Sequence, residues 1–354
     1  MKKILLFCEA LKNRAGIERM TVELANLLSE DYKVYIVTID PFKAEECPYA
    51  VSSKVKILSL NSSFNKTFSS PKSLNIRNIR LFRKICKQLR PNTVVTVATP
   101  LVRVSAPAII GLDIRNIGWE HFNIFAGSKA GTLFKTIAPW FVYRTVVLTE
   151  ADAIDYRNKK APNIIVIPNF TSIGANAPSK IENKVLIAVG RHSEQKGFDM
   201  LLKAWAKSKP GGWCLTIVGE GDLKDYNIAL AKELGISDSV VFKPSTPNIA
   251  KEFQDASCFV LSSRYEGLVL VLIEAKMMGL PSICFDCPNS PREVIRDGID
   301  GWLVPPEDID ALAMEIELRL KDIDTLRLAG EKARTDALKR YSPEAIKSQW
   351  VKIL

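Results

Sequence analysis

Short apolar runs alternate with amphipathic stretches along the whole chain. In the first half the runs are KILLFC, KVYIVTI, VKILSL, NTVVTVA, IRNIGW, RTVVLT and NIIVIP. They are mostly continuous and β-branched, the pattern of strands covered on both faces. Between the first two, GIERMTVELANLLSE sets Ile17, Met20, Leu24, Leu27 and Leu28 at helical spacing. Residues 76–90, IRNIRLFRKICKQLR, repeat the pattern, with Ile76, Ile79, Phe82, Ile85 and Leu89 on one face and almost only cations opposite.

A polar stretch without strong periodicity, TSIGANAPSKIEN at 171–183, reads as a linker. The alternation then resumes. KVLIAVG, CLTIVG, VVFKP, CFVLS, SICFD and GWLVP read as strands, with helices near 198–207, 223–234, 247–255, 269–278 and 291–296 and helices to the end. Strands alternating with helices imply parallel sheets. At 354 residues the chain exceeds the usual reach of one hydrophobic core. The expectation is an α/β protein of two Rossmann-like doubly wound domains facing across a cleft. The first spans 1–170, the second 184–335, and a C-terminal helix over 336–354 packs back on the first. In such sheets ligands bind at the carboxyl ends of strands.

Composition is that of a soluble globular protein, with 47% hydrophobic and 25% charged residues. No window approaches a membrane-spanning helix. MKKILLFCEA is too short an apolar run for a signal peptide, so a cytoplasmic protein is expected. The seven cysteines, several within apolar runs, read as reduced and buried. Cys284 and Cys287 form a CxxC without a second pair at zinc-ligand spacing.

The net charge of +10 lies wholly in the first half, and from 47 to 112 there is no acidic residue. That stretch includes Lys66, Lys72 and the cations of 76–90: Arg77, Arg80, Arg83, Lys84, Lys87 and Arg90. Such a patch suits nucleic acid, anionic lipid or a phosphorylated substrate, or is simply a solvated helix face.

Most catalytic signatures are missing: there is no P-loop, no GxGxxG and no GxSxG. Two histidines, His121 and His192, are too few for a multi-histidine metal site. Asp308-Ile-Asp310 matches a short metal–nucleotide pattern, but it opens a helix, where first-turn acids are common. Two strand-end loops remain. In VGRHSEQKGFDML, residues 189–201, Arg191 and Lys196 lie beside a helix start, a suitable place for a diphosphate. In SSRYEGLVLVLIEAKMMGLP, residues 262–281, Glu266 sits in a loop and Glu274 on the following helix. One carboxylate can accept from a sugar hydroxyl, the other from a ribose diol, and amides between them can bind phosphate oxygens.

These motifs resemble the donor-binding domain of retaining glycosyltransferases of family 4, which have the GT-B fold. The resemblance rests on GRHSEQKGFDMLLKAW, LTIVGEGDL, RYEGLVLVLIEAKMMGLPSICFD and PREVIRDGIDGWLVPPED, in the family's order. The first half is similar through AGIERMTVELANLL (with Ala15 for the first glycine of the family's Gly-Gly loop), WEHF, VVLTEADAIDY and VIPNF. FDCPNSPREVI is most similar to members that build bacterial surface polysaccharides such as O-antigen, lipopolysaccharide or capsule. The resemblance implies a metal-independent hexosyltransferase without a cofactor. Its donor would be a nucleotide sugar, UDP-linked first. Its acceptor would be a polyprenyl-diphosphate-linked glycan at the inner membrane face, where the protein would be peripheral. It implies that Arg191 and Lys196 neutralise the diphosphate and that Glu274 holds the ribose. Glu266 would hold the donor sugar, with Gly190 and the amides of Gly267, Leu268 and Val269 supporting it. His121 would contact the sugar, and Gly16 would let the backbone approach the donor. The cations of 76–90 would serve the acceptor or the anionic membrane. A sugar-nucleotide epimerase of the same fold and a basic nucleic-acid-binding protein are the rival readings; no RNA-recognition aromatic pattern or helix-turn-helix supports the second.

Overall fold

The computed structural model describes all residues except 13–15, 42–45, 61–75, 126–127, 174–177, 209 and 289–290. Ala15, Lys66 and Lys72 lie outside the described residues. The chain divides into two units: Met1–Asn169 with Ile346–Leu354, and Phe170–Ala345.

The first unit holds strands β1 (Lys3–Cys8), β2 (Lys33–Thr38), β3 (Lys56–Ser59), β4 (Thr93–Val97), β5 (Arg115–Trp119), β6 (Arg144–Val147) and β7 (Ile164–Val166). Its helices are α1 (Gly16–Leu28), α2 (Ile76–Leu89), α3 (Val102–Ile109), α4 (Lys129–Ile137) and α5 (Glu150–Asn158). The strands form one parallel sheet in the order β3-β2-β1-β4-β5-β6-β7. The order reverses between β1 and β4. Crossovers between parallel strands are right-handed. The connections through α2, α3, α4 and α5 all step the same way, so these helices share one face of the sheet, and α1 takes the other.

The second unit has strands β8 (Val185–Val189), β9 (Cys214–Val218), β10 (Val240–Lys243), β11 (Cys258–Leu261), β12 (Ser282–Phe285) and β13 (Gly301–Val304). Its helices are α6 (Phe198–Ser208), α7 (Lys224–Glu233), α8 (Ile249–Gln254), α9 (Leu270–Met277), α10 (Pro291–Val294), α11 (Ile309–Leu320) and α12 (Ile323–Tyr341); α13 (Pro343–Val351) follows. This sheet is also parallel, in the order β10-β9-β8-β11-β12-β13, and it reverses between β8 and β11. One core packs Leu201, Trp205, Leu230 and Ile316 on one side, and another packs Phe253, Leu272, Ile273 and Met277.

Boundaries differ from the sequence reading. Residues 178–183 belong to the second unit rather than forming a free linker, because Ile181 is buried in its core and Ser179 Oγ donates to Ala256 O at 2.6 Å. The single helix expected over 336–354 is two helices, broken at Ser342 before Pro343. Pro343 lacks the N–H that a continuous helix needs and so starts a new one. Only the last residues return to the first unit. There Trp350 packs edge-on against Trp119 at 5.2 Å between ring centres, and Lys347 pairs with Asp31 at 2.8 Å.

Candidate active site

The two strands at the reversal of the second sheet, β8 and β11, end side by side, and both candidate loops leave from there. After β8 the chain passes Gly190, Arg191 and His192, makes a tight turn at Glu194–Lys196, and enters α6 through Gly197. Gly197 adopts φ 61°, and a Cβ there would stand 2.1 Å from the carbonyl oxygen of Ser262. Only glycine allows this approach. The loop after β11 therefore lies directly on the loop after β8. Ser262 Oγ donates to Lys196 O at 2.9 Å, and Arg264 N to Gln195 O at 2.8 Å. Arg264 also clamps Asp199 at the start of α6 with two bonds of 3.0 and 2.8 Å. Burial raises the Asp199 carboxyl, but the Arg264 bonds and charge outweigh it and hold it below its ordinary value.

β9 closes the other side. His192 N donates to Glu220 O at 2.9 Å and Leu223 N to His192 O at 3.0 Å. A Cβ on Gly219 would stand 1.8 Å from Gly190 O, and one on Gly221 2.5 Å from His192 O. The pair Gly219-Glu-Gly221 therefore lets β9 cross the 190–192 loop. His192 is wholly buried, with Nδ1 2.9 Å from Asn227 Nδ2. Burial first, then the Lys224 charge, lowers its pKa, so it is a neutral prop for the loop.

Glu266 and Lys196 meet within this frame. Lys196 Nζ lies 2.5 Å from Glu266 Oε1, and both side chains are largely buried. Ser263 Oγ donates to the same oxygen at 2.6 Å, and Gln195 Nε2 to Oε2 at 3.3 Å. The Lys196 stem runs across Gly190, where a Cβ would meet it at 3.1 Å. Sequence reasoning gave Lys196 and Glu266 separate tasks; here each holds the other. It missed Gln195, Ser263, Arg264 and Asp199, because no spacing rule reveals that residues some 65 to 71 positions apart meet across a β8–β11 pair. Gly267 and Leu268 follow in the loop, and Val269 caps α9 without a side-chain hydrogen bond. The first amides of that helix, with its positive dipole end, suit an anion. Glu274 lies on α9, only 4% exposed among Leu272, Ile273 and Ala275, and Arg191 is exposed.

The remaining sequence candidates lie in the first unit. Gly16 opens α1 and is exposed. His121 follows β5, packs against Trp119 at 4.3 Å between ring centres, and is buried. Its Nε2 has no hydrogen-bond partner among the described residues, and burial lowers its pKa to about 3, so the ring is neutral. Glu120 Oε1 accepts the amides of His121 and Phe122, each at 3.0 Å, and shapes this turn.

The cationic helix corrects one expectation. Ile76, assigned to the apolar face, is 67% exposed, and the fully buried line of α2 is Asn78, Phe82 and Cys86. Phe82 stacks on Phe7 at 4.1 Å. Arg83, assigned to the basic face, donates to Ala108 O and Ile110 O at 2.7 and 2.8 Å and satisfies the last carbonyls of α3. Those contacts rotate the helix away from the orientation that hydrophobicity alone suggests. Arg77, Arg80, Lys84, Lys87 and Arg90 are exposed. In the DxD segment, Asp308 caps α11 by accepting from Ala311 N at 2.9 Å, and Asp310 pairs with Lys207.

A family profile described as "Glycosyl transferases group 1" matches residues 172–336. An uncharacterised glycosyltransferase of Haemophilus influenzae is 33% identical, with 100% of each chain covered. The amylovoran biosynthesis glycosyltransferase AmsD of Erwinia amylovora is 30% identical, again over 100% of each. A Campylobacter jejuni α-1,4-N-acetyl-D-galactosaminyltransferase, named for an undecaprenol-diphosphate-linked GalNAc-GalNAc-diNAcBac glycan, is 28% identical over 98% of this chain and 97% of its own. The solved structure of Anabaena HepE with UDP superposes with a TM-score of 0.82 at 17% identity, covering 100% of this chain and 99% of HepE.

Proposed function

The chain belongs to the group 1 glycosyl transferases, and from that premise we propose that it moves a sugar, with retention at the anomeric carbon, from a UDP-sugar to a polyprenyl-diphosphate-linked glycan in surface-polysaccharide assembly. The supporting observation is the cluster at the reversal between β8 and β11. There the Lys196–Glu266 pair, Arg191, the uncapped start of α9 and the buried Glu274 come from two adjoining strand ends. The relatives support the pathway, since one is named for amylovoran biosynthesis and another for an undecaprenol-linked acceptor.

Glycosyl transfer builds positive charge on the sugar ring while negative charge grows on the leaving diphosphate. Arg191, Lys196 and the α9 amides stabilise the second, and a preformed array does so without reorganising during the reaction. Glu266 holds Lys196 in place and, on its remaining lone pairs, accepts from the donor sugar's hydroxyls. Glu274 accepts from the ribose diol. With cations and amides in these roles the reaction needs no metal, and no enzymatic nucleophile is required if the leaving phosphate takes the acceptor's proton.

Calorimetric titration with UDP of wild type and Glu274→Ala tests the site. Loss of a charge-assisted acceptor worth about 1.5–3 kcal/mol should weaken binding about 10- to 150-fold. Equal affinity removes Glu274 from the nucleotide site. Turnover of UDP-sugars with a lipid-linked acceptor in excess EDTA should persist; loss restored by Mg²⁺ would overturn the metal-free mechanism.

A further inference from the structure

Lys276 lies on α9 two positions after Glu274, and its side chain is fully buried. An ammonium group in such a place is costly unless it is fully paired. Its Nζ has three N–H donors and three oxygens within reach: Val294 O at 2.5 Å, Asp336 Oδ2 at 2.6 Å and Asp300 Oδ2 at 3.1 Å. These belong to the end of α10, to α12 and to the turn before β13. Each carboxylate is held in turn. Arg296 donates to Asp300 from its amide at 2.9 Å and from its Nε at 2.6 Å. Arg340 donates to Asp336 at 3.1 Å and to Glu293 O, on α10, at 2.5 Å. One cation thus ties α9 to three other segments of the second unit.

Two positions on an α-helix are about 200° apart around the axis and about 3 Å apart along it. Glu274 and Lys276 therefore leave α9 on nearly opposite sides, and the cluster grips the helix from behind the Glu274 carboxylate. α9 is eight residues long, little more than two turns, so a rotation at Lys276 reaches Glu274 undiminished. The end of the helix is pinned as well. Arg334 donates to Met277 O at 2.7 Å, and a Cβ on Gly330 would stand 2.2 Å from Gly279 O, so α12 lies directly on the chain there. Apolar cores lose uniqueness of position before they lose stability. Directional bonds from one point to three segments fix a single rotation instead. We propose that Lys276 is a positioning residue for nucleotide binding: its ion cluster sets the rotation of α9 and with it the reach of Glu274 to the ribose. Selection of a ribonucleotide over a 2′-deoxynucleotide then depends on Lys276, which is itself sealed from any ligand. The inference rests on Glu274 being the ribose acceptor, and Glu274→Ala is the control that separates the two.

The test is calorimetric titration of full-length protein with UDP and with 2′-deoxy-UDP. Wild type should prefer UDP by about tenfold or more, the share of one charge-assisted hydrogen bond. Glu274→Ala should erase that preference. Lys276→Met should reduce it to about threefold or less. The ratio is the readout because an unfolded fraction weakens both ligands alike, so lost stability by itself leaves the ratio unchanged. Lys276→Met/Asp300→Asn/Asp336→Asn also removes the carboxylates that Lys276→Met strands, and it should show the same reduced preference in a better-folded protein. Adding Lys276→Met to Glu274→Ala should change the ratio no further, since the two act on one contact. A wild-type preference kept in both Lys276 variants, with that of Glu274→Ala lost, would overturn the proposal and leave the ribose reading standing. A preference kept in Glu274→Ala would remove the ribose role itself and the proposal with it.

Discussion

The two units share an architecture, and they use charge in opposite ways. In the second, the ionisable groups that matter are paired and wholly or partly buried. Lys196 meets Glu266, Arg264 clamps Asp199, and Lys276, fully buried, pairs with Asp336 at 2.6 Å and Asp300 at 3.1 Å. In the first, the cations of α2 are exposed apart from Arg83, which is half-buried on backbone carbonyls. Buried pairs have fixed geometry and lose much when one partner goes, because the other is left desolvated. Exposed cations contribute little to folding and act instead through the field they project. One unit spends its charges on fixed internal geometry, the other leaves them on its surface.

The comparison breaks most sharply at Lys196. Lys196→Ala strips Glu266 of its cation and, in the proposed mechanism, the leaving group of its counter-charge, so turnover should fall about 10²- to 10³-fold. An initial-rate assay with the thermal melt unchanged checks this, and wild-type rates would mean the pair is only structural. Next is Lys276→Met. It leaves Asp300 and Asp336 partnered, among the described residues, by Arg296 and Arg340, and should cost about 3 kcal/mol in urea unfolding of the second unit. A cost near zero would show that the network is replaceable by packing.

His121 is one of the buried titratable groups of the first unit. Its folded pKa of about 3 lies below the ordinary 6.5. Between those values the unfolded chain binds a proton that the folded chain does not, so stability falls as pH drops, by about 1.4 kcal/mol per pH unit. His121→Gln should flatten that part of the stability–pH curve, which urea titrations at successive pH values would read out. The smallest effect is expected at Arg80→Gln/Lys84→Gln, within about 0.5 kcal/mol of wild-type stability, as for ordinary surface positions. A larger loss, measured by the same urea titration, would mean that α2 uses these cations as it uses Arg83.

Much was legible from periodicity. Continuous β-branched runs such as KILLFC and SICFD became central parallel strands because only strands covered on both faces tolerate such runs. The two candidate loops were legible because Arg191, Lys196, Glu266 and Glu274 lie in short contiguous motifs at strand ends. The rotation of α2 was not. Ile76 and Asn78 trade the places that hydrophobicity assigns them, since Phe7 and the end of α3 set the helix's orientation. Nor did the exposed Leu133 and Ile137 of α4 stand out, because an apolar residue in sequence is presumed to face inward until the fold leaves it outside.

By itself, then, the order of residues determined two parallel α/β sheets and the residue types at the candidate loops. Those depend on local interactions, hydrophobic period and chain direction, which are properties of the string. Tertiary structure alone decided that Lys196 would face Glu266, 70 residues away, and that Gly197 would press against Ser262. It also decided that Trp140 and Phe141 would be left uncovered. Each of these depends on which strand ends lie side by side and which helices share a face, and that is settled only when the sheet closes its register in three dimensions.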